Sequence, residues 1–288
     1  MILLIGDNHG RFRHVLDAIT FVRASGMGAI SDVIFLGDIE AQRPFETEIA
    51  PILALGVEVH WIVGNHDTDS EENWRHLQGS MHRRLDGRVT EIAGLRIAGL
   101  GGVFRGQIWF PRDSKNAAAV EDPAFQSYDE FSADLGKKQG LKRRLSKMDR
   151  IQMEAIPDRI AKLMDPTKNG QLRKHCSTIF PDVVRSLSAQ HADILLTHEA
   201  PGYHRHGFDE LTRLAQAMGV RMAVHAHHHE NLDHGTDPHG FAAFGVGFCD
   251  VAMLDPATLE LTFLPPAVIE DGQIFEARNG PEGEGENG

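Results

Sequence analysis

Aspartate, asparagine and histidine side chains follow several short apolar stretches of this chain directly, at the points where strands would end. These segments are Gly6-Asp7-Asn8-His9-Gly10, Gly37-Asp38, Gly64-Asn65-His66-Asp67, His198 and His225-Ala226-His227-His228-His229. Because ligands gather at the carboxyl ends of the strands in an α/β sheet, we expect these side chains to converge on one cavity. Carboxylate, imidazole and amide donors suit Mn, Fe or Zn rather than a thiolate-bound metal. The sequence therefore predicts a site for divalent metal ions.

The glycines and the charges of these segments are consistent with that chemistry. Glycine lets the chain leave a strand sharply and approach a cavity closely. Asp7 and His9 stand two positions apart, so in an extended segment both side chains can point the same way. With the carboxylates Asp7 and Asp38, neutral Asn and His donors and a bridging hydroxide, a pair of divalent ions would keep about one net positive charge. Such a centre is suited to bind phosphate.

Composition excludes several other classes of protein. The chain has 288 residues, of which 41% are hydrophobic and 24% charged, as in ordinary globular proteins. Its formal net charge of -12 disfavours a globally basic nucleic-acid binder. Two cysteines cannot build a disulfide framework, and the apolar run at residues 1–5 is too short for a signal peptide or a membrane span. We therefore expect a cytoplasmic protein with no membrane contact.

Alternating strands and helices must position the candidate ligands. Apolar runs of strand length alternate with residues at helical spacing, which predicts a largely parallel sheet with both faces covered. Strands are predicted at 2–5, 33–36, 57–63, 88–92, 95–100, 193–197 and 222–224, and helices at 12–22, 49–55 and 208–218. The stretches 241–248, 251–254 and 259–263 are predicted to form a closing antiparallel meander.

A change of pattern divides the chain into parts. Strand signals fade across 104–190, where residues within 141–148 and 156–163 share helical faces, so we expect a helical insertion or cap. This insertion would belong to one domain that spans 1–270. The tail at 271–288 places glutamates among glycines and is predicted to be flexible and acidic.

The motifs occur in the order found in the calcineurin-like metallophosphoesterase superfamily, which this chain resembles over about 1–103 and 191–264. The resemblance rests on Asp7-Asn8-His9, Gly37-Asp38, Gly64-Asn65-His66-Asp67, His198 and the late His-x-His. It implies an α/β fold of four αββα layers, in which two mixed sheets pack between helices. It also implies a dinuclear centre of Mn, Fe or Zn and hydrolysis of a phosphoric ester by in-line attack of a bridging hydroxide.

The resemblance further implies which residues hold the two ions. The first ion would be bound by Asp7, His9, Asp38 and one late histidine. Asp38 would bridge to the second ion, whose other ligands would be Asn65, His198 and another late histidine. Two registers of the late motif are open, because His225 and His227 or His227 and His229 have the required spacing. We favour His227 and His229, since Ala226 before them matches the small residue of the family's motif.

Further residues are candidates for catalysis and for substrate binding. By the same resemblance, His66 would act as general acid or transition-state donor, with Asp67 nearby to orient it. Arg43 and Arg105 are candidates to hold phosphate oxygens. The segment that ends at Arg43 lacks the Asp-Arg-Gly of protein Ser/Thr phosphatases, which argues against a protein-phosphatase function.

The substrate class stays open at this stage. The expected substrate is a phosphorylated small molecule, a nucleotide or another phosphoester. The alternative to a phosphomonoesterase is a phosphodiesterase or nuclease that acts on nucleic acid or nucleotides. The basic run at 137–150 could attract nucleic acid to such an enzyme. A run of this kind is also typical of a solvated helix face. A third possibility, from another class, is a metal-binding scaffold or interaction module without turnover.

Overall fold

The structure is a computed structural model, and it describes residues 1–111, 122–138, 164–236, 238 and 240–265. The strands are β1 (Ile2–Ile5), β2 (Asp32–Phe35), β3 (Glu58–Trp61), β4 (Arg88–Ile92), β5 (Leu95–Leu100), β6 (Ile194–Thr197), β7 (Met222–His225), β8 (Leu232–Thr236), β9 (Ala242–Gly245), β10 (Val251–Leu254) and β11 (Leu261–Phe263). The helices are α1 (Arg13–Ala24), α2 (Phe45–Leu53), α3 (Glu71–Leu77), α4 (Tyr128–Lys138), α5 (Gly170–Lys174), α6 (Pro181–Ser188) and α7 (Asp209–Met218).

These strands form two mixed sheets. The first has the order β11-β10-β1-β2-β3 and the second the order β4-β5-β6-β7-β9-β8. In the first sheet β1, β2 and β3 are parallel neighbours, and in the second β5, β6, β7 and β9 are parallel neighbours. The α/β class and the mixed character of both sheets confirm the fold expected from the sequence.

Alternation of buried side chains along β1 shows how the layers are stacked. Leu3 and Ile5 lie in an apolar cluster with residues of α1 and α2. Ile2 and Leu4 point the other way, into a cluster between the two sheets. A third cluster joins the outer face of the second sheet to α6 and α7. Burying each such side chain contributes about 2 kcal/mol, so the αββα stacking follows from strands that are apolar on both faces.

The predicted closing meander is wrong. The stretch 241–248 contains β9, which pairs in parallel with β7 in the second sheet, whereas β10 pairs antiparallel with β1 in the first. Of the three strands predicted for the meander, β10 and β11 pair antiparallel with each other, and β9 does not join them. The sequence pattern also missed β8, which pairs antiparallel with β9 at the sheet edge. Its residues are half-buried or exposed, so they lack the apolar alternation that indicates a strand.

The predicted insertion at 104–190 is described in part. Its described residues contain α4, α5 and α6, and its boundaries stay a prediction. The helical faces predicted within 141–148 and 156–163, the basic run beyond Lys138 and the tail 271–288 lie outside the described residues. In the part of the chain that the structure describes, none of the helices is long and apolar enough to cross a membrane.

Candidate metal centre

The ends of the parallel strands of both sheets bring the predicted ligands together. Two groups form, and within each the ligand atoms all lie within 4.8 Å of one another: Asp7 with His9 and His229, and Asp38 with His198 and His227. Asn65 adjoins the second group, since its Oδ1 is 3.0 Å from His198 Nε2. The structure thus places His227 and His229, rather than His225, with the two carboxylates.

His198 is held so that one ring nitrogen faces the other ligands. Its Nδ1 lies 2.8 Å from the carbonyl oxygen of Leu36, to which an Nδ1–H donates. This contact uses Nδ1 and directs Nε2 at Asn65 and at Asp38, whose Oδ2 is 3.4 Å away, so that Nε2 is the nitrogen a metal ion would take in place of a proton. A carbonyl that orients a metal-binding imidazole in this way is the usual outer contact of a metal site.

The loops that carry the ligands have unusual backbone conformations. Positive φ angles occur at His9 (41°), Asp38 (48°), His227 (70°) and His229 (58°). Such conformations cost free energy and cluster where a site needs them. The sequence predicted an extended segment at His9, but this residue lies in a turn instead. Through that turn its side chain reaches Asp7 and His229. Gly64 is required by close approach, because a Cβ there would overlap the backbone nitrogen and the carboxylate of Asp38.

Buried charge shows that the centre attracts cations. Asp7 and Asp38 are fully buried, and the buried atoms Asp7 Oδ2 and His9 Nε2 have no hydrogen-bond partner among the described residues. Burial opposes a charge on His198, but the carboxylates of Asp38 and Asp7 raise the pKa of this imidazole to about 10. Reciprocally, although burial acts in the opposite sense, the nearby His198 holds the pKa of Asp38 below its usual range. A donor set of this kind fits divalent metal ions.

The late histidines differ in their environments. Burial lowers the pKa of His227 to about 4, which keeps it in the neutral form that binds metal. The backbone N–H of His227 donates to Asp7 Oδ1 over 3.3 Å, a contact that joins the two ligand groups. His225 and His228 join neither group, and burial lowers the pKa of both. His228 lies 3.5 Å from the buried carboxylate of Glu199.

Asp67 supports the backbone instead of the ring of His66. Its two oxygens accept hydrogen bonds from the N–H groups of Gly64 and Glu40, each over 2.8 Å. Burial, followed by the charge of Asp38, raises the pKa of Asp67 to about 7. The carboxylate that contacts His66 Nδ1, over 2.7 Å, belongs to Asp69. Sequence reasoning missed Asp69, although its position three residues after His66 on a helical turn was a usable signal.

The two arginines predicted to bind phosphate have different surroundings. Arg105 is partly buried and donates to the hydroxyls of Thr178 and Ser177 over 3.1 and 3.3 Å. Burial lowers its pKa, against the charges of Asp69 and Asp38, so its guanidinium lies within the field of the centre. Arg43 instead makes two hydrogen bonds to Glu48, of 3.1 and 2.7 Å, on the exposed start of α2.

Another cation at the rim was not predicted. The guanidinium carbon of Arg11 lies 4.9 Å from the centroid of the Phe248 ring. Phe248 in turn contacts the ligands His9 and His229, with ring centroids 5.4 and 5.3 Å away. No spacing rule connects Arg11 to Phe248, which is 237 positions further along the chain, so only the fold shows this contact.

This chain is similar to several known proteins. A family model described as calcineurin-like phosphoesterase matches residues 1–231. An uncharacterized protein of Haemophilus influenzae is 34% identical over 254 residues, which are 88% of this chain and 93% of that protein. Among solved structures, the protein TT1561 of Thermus thermophilus has a TM-score of 0.49 at 13% identity and covers 91% of this chain and 97% of its own. A phosphopantetheinyl hydrolase of Mycobacterium tuberculosis has a TM-score of 0.40 at 12% identity, covering 92% and 95%. On the family model and the Haemophilus relative, the chain belongs to the calcineurin-like phosphoesterase family, whose members are metal-dependent phosphoester hydrolases.

Proposed function

We propose that this protein hydrolyses phosphoric esters at a centre for two divalent metal ions. The observation that carries the proposal is the pair of ligand groups built on Asp7 and Asp38, in which buried carboxylate and imidazole atoms face one another. When bound, two ions would supply Lewis-acid stabilisation of phosphoryl oxygens and activation of water. One ion would be held by Asp7, His9 and His229, the other by Asn65, His198 and His227, with Asp38 shared between them.

His66 is the proposed proton donor to the leaving oxygen. It stands directly after the ligand Asn65, its backbone N–H donates to Asp38 Oδ1 over 2.8 Å, and its side chain is 44% exposed. A ring that is tied to the ligand loop and still reaches solvent can meet a substrate oxygen. Arg105 is proposed to hold the phosphoryl group, because the hydroxyls of Thr178 and Ser177 fix its guanidinium and the charges of Asp69 and Asp38 act on it.

A second candidate function is hydrolysis of phosphodiesters. Within the described residues, the side chains of His66 and His229 are 44% and 50% exposed, so this edge of the centre is open to solvent. An open edge leaves room for a group on each side of the phosphate, which a diester needs and a closed monoester pocket would refuse. The basic run at 137–150 lies mostly outside the described residues and adds no support for nucleic acid.

The test is hydrolysis of 4-nitrophenyl phosphate and of bis(4-nitrophenyl) phosphate by the purified chain with added Mn²⁺. Turnover of either ester that is abolished by a chelator and restored by Mn²⁺ supports the proposal, and the ratio of the two rates chooses between monoester and diester. Asp38→Asn is expected to lose metal and at least about 10²-fold in rate, because the shared carboxylate charge is gone. Full activity and metal content in Asp38→Asn would contradict the proposed centre. Metal binding without turnover of any ester would favour the scaffold alternative.

A further inference from the structure

The carboxylate of Glu40 lies between a proposed metal ligand and the proposed proton donor. Its Oε2 is 3.3 Å from His9 Nδ1 and its Oε1 is 3.7 Å from His66 Nδ1. The two imidazole rings have centroids 5.4 Å apart, so one carboxylate reaches both. Glu40 is held there by its backbone, which has a φ of 46° and donates its N–H to Asp67 Oδ1. A strained backbone with a fixed hydrogen bond places this side chain at a defined point.

On the His9 side, the contact determines which nitrogen is available. An Nδ1–H directed at Glu40 leaves the lone pair on Nε2, and this buried Nε2 finds no hydrogen-bond partner in the part of the chain that the structure describes. The same nitrogen belongs to a ring that lies with Asp7 and His229 in the first ligand group. Glu40 therefore orients His9 as a carboxylate beyond the ligand shell orients a metal-binding histidine.

On the His66 side, Asp69 makes the short contact and Glu40 adds charge. His66 Nδ1 is 2.7 Å from Asp69 Oδ2, which is hydrogen-bond distance, whereas the 3.7 Å to Glu40 is not. With Nδ1–H donated to Asp69, Nε2 is the nitrogen left to carry a proton to the leaving oxygen at the open edge of the centre. The side chain of Asp69 is 60% exposed, so its contact adds little to folding stability and a change there leaves the fold intact.

We infer that Glu40 and Asp69 are positioning residues, of which Glu40 orients His9 toward the metal ions and Asp69 orients His66 toward the leaving oxygen. The inference rests on the proposed function for the role of His66, but the contacts of Glu40 with His9 concern metal binding alone. Neither carboxylate touches the substrate in this arrangement. Each acts through an imidazole ring by selecting its tautomer and its direction.

The experiment compares the full-length chain with Glu40→Ala and Asp69→Ala, each accompanied by its amide variant, Glu40→Gln or Asp69→Asn. Glu72→Ala is the matched control, because Glu72 is an exposed carboxylate 3.9 Å from His76 on α3 and lies in neither ligand group. Zinc affinity is measured by competition with a chelator. The tautomer of His66 is measured by ¹⁵N NMR of the zinc-loaded protein. Rates are measured with 4-nitrophenyl phosphate and with an alkyl phosphate.

Glu40→Ala is expected to weaken zinc binding roughly 10–100-fold, with Glu40→Gln intermediate and Glu72→Ala unchanged. Asp69→Ala is expected to bind zinc as the unchanged chain does, to lose the Nδ1–H tautomer of His66 and to slow the alkyl ester at least tenfold more than the nitrophenyl ester. Asp69→Asn, which keeps an acceptor, should retain part of both.

Three results would overturn the inference. They are zinc affinity in Glu40→Ala equal to that of the control, an unchanged His66 tautomer in Asp69→Ala, and loss of a bound zinc equivalent in Asp69→Ala, since the last would make Glu40, His66 and Asp69 a cation site of their own. If the unchanged chain hydrolyses no ester but zinc affinity and tautomer shift as expected, the proposed function fails and the positioning of His9 and His66 stands.

Discussion

His198 and His66 each use one ring nitrogen to direct the other. The Nδ1 of His198 contacts the carbonyl of Leu36, and the Nδ1 of His66 contacts Asp69. A carbonyl in the buried interior and a carboxylate at the exposed edge suit different tasks, because the first fixes a neutral ligand and the second stabilises a ring that gains a proton. The two histidines are therefore expected to respond differently to substitution.

His66→Gln is expected to keep both metal ions and to lose roughly 10²–10⁴ in rate, because an amide cannot donate a proton to the leaving oxygen. Metal content by elemental analysis and the rate with an alkyl phosphate check this. His198→Gln serves as the contrast, since loss of a buried ligand should remove metal as well as activity. Loss of metal from His66→Gln would make His66 a ligand and contradict its role as a donor.

The structure brings together those predicted site residues whose position the backbone alone decides. Asp7, Asp38 and His198 follow strands whose ends meet, so their proximity could be predicted from apolar runs and spacing. Asp67 could not be separated from Asp69 in this way, because which carboxylate reaches His66 depends on side-chain direction within one turn. Arg43 shows the same limit, since its rotamer places it on Glu48.

In the proposed centre Asp38 is shared by two metal ions, which requires the loops after β2 and β3 to lie against each other. A Cβ on Gly64 would overlap the backbone nitrogen and the carboxylate of Asp38. Gly64 lies after β3, so the substitution changes the loop and not the strand. Gly64→Ala is therefore expected to weaken metal binding at least tenfold with the fold retained, as measured by chelator competition and circular dichroism. Gly79→Ala is the control, because a Cβ there meets its nearest atom, in Glu46, at 4.0 Å. Equal metal affinity in the two variants would show that the loops can separate without cost.

Asp193, just before β6, connects neighbouring strands of the second sheet at the strand ends opposite the proposed metal centre. It accepts a hydrogen bond from the backbone N–H of Arg96 over 2.8 Å and pairs with Arg221 over 2.9 Å. These contacts, the backbone hydrogen bond first, lower the pKa of Asp193. A lowered pKa in the folded state means that this stabilisation exists above the unfolded pKa and is lost as pH falls through the folded one.

Asp193→Asn is accordingly expected to lower the free energy of unfolding at pH 7 by up to about 1 kcal/mol, a value limited by solvent screening of this partly exposed group. The difference from the unchanged chain should shrink toward zero as pH falls from the ordinary pKa of an aspartate through the lower pKa of folded Asp193. Urea unfolding in the presence of a chelator, at pH 7 and at a pH below this range, measures it. Asp17→Asn, which removes an exposed pair with Arg13, should change little at either pH. A difference for Asp193→Asn that stays constant with pH would exclude this charge effect.

Strands could be predicted from the sequence more readily than their partners. The apolar runs of β1, β2, β6 and β7 are buried on both faces, which makes them visible in the sequence. The partner of β9 could not be predicted, because the same pattern of apolar residues permits an antiparallel neighbour or a parallel one across a crossover. Edge strand β8 carries almost no pattern because only one face of it meets the core.

At the scale of the whole molecule, the two sheets pack face to face, and the proposed centre lies where the carboxyl ends of their parallel strands meet. Asp7, Asp38 and Asn65 come from loops after the first sheet, while His198, His227 and His229 come from loops after the second. Metal ions held there would join the two halves of the sandwich. Such ions would bind the folded chain and not the unfolded one, and would therefore stabilise the fold by mass action.

Metal is therefore expected to stabilise the protein in a pH-dependent way. At free metal about 100-fold above the dissociation constant, the gain is about 2.7 kcal/mol, or roughly 5–10 °C in Tm for a domain of this size. Protons compete for the same imidazoles, and without metal the carboxylates of Asp38 and Asp7 favour a proton on His198. Occupancy and the gain in Tm should thus both fall between about pH 8 and about pH 5. Elemental analysis measures the metal occupancy, and calorimetry with and without Mn²⁺ measures the gain in Tm. Asp38→Asn is expected to show neither bound metal nor a gain in Tm. A Tm gain that is the same across this range would mean that the stabilising ions bind to oxygen donors elsewhere, and the histidine ligands assigned to both sheets would then be wrong.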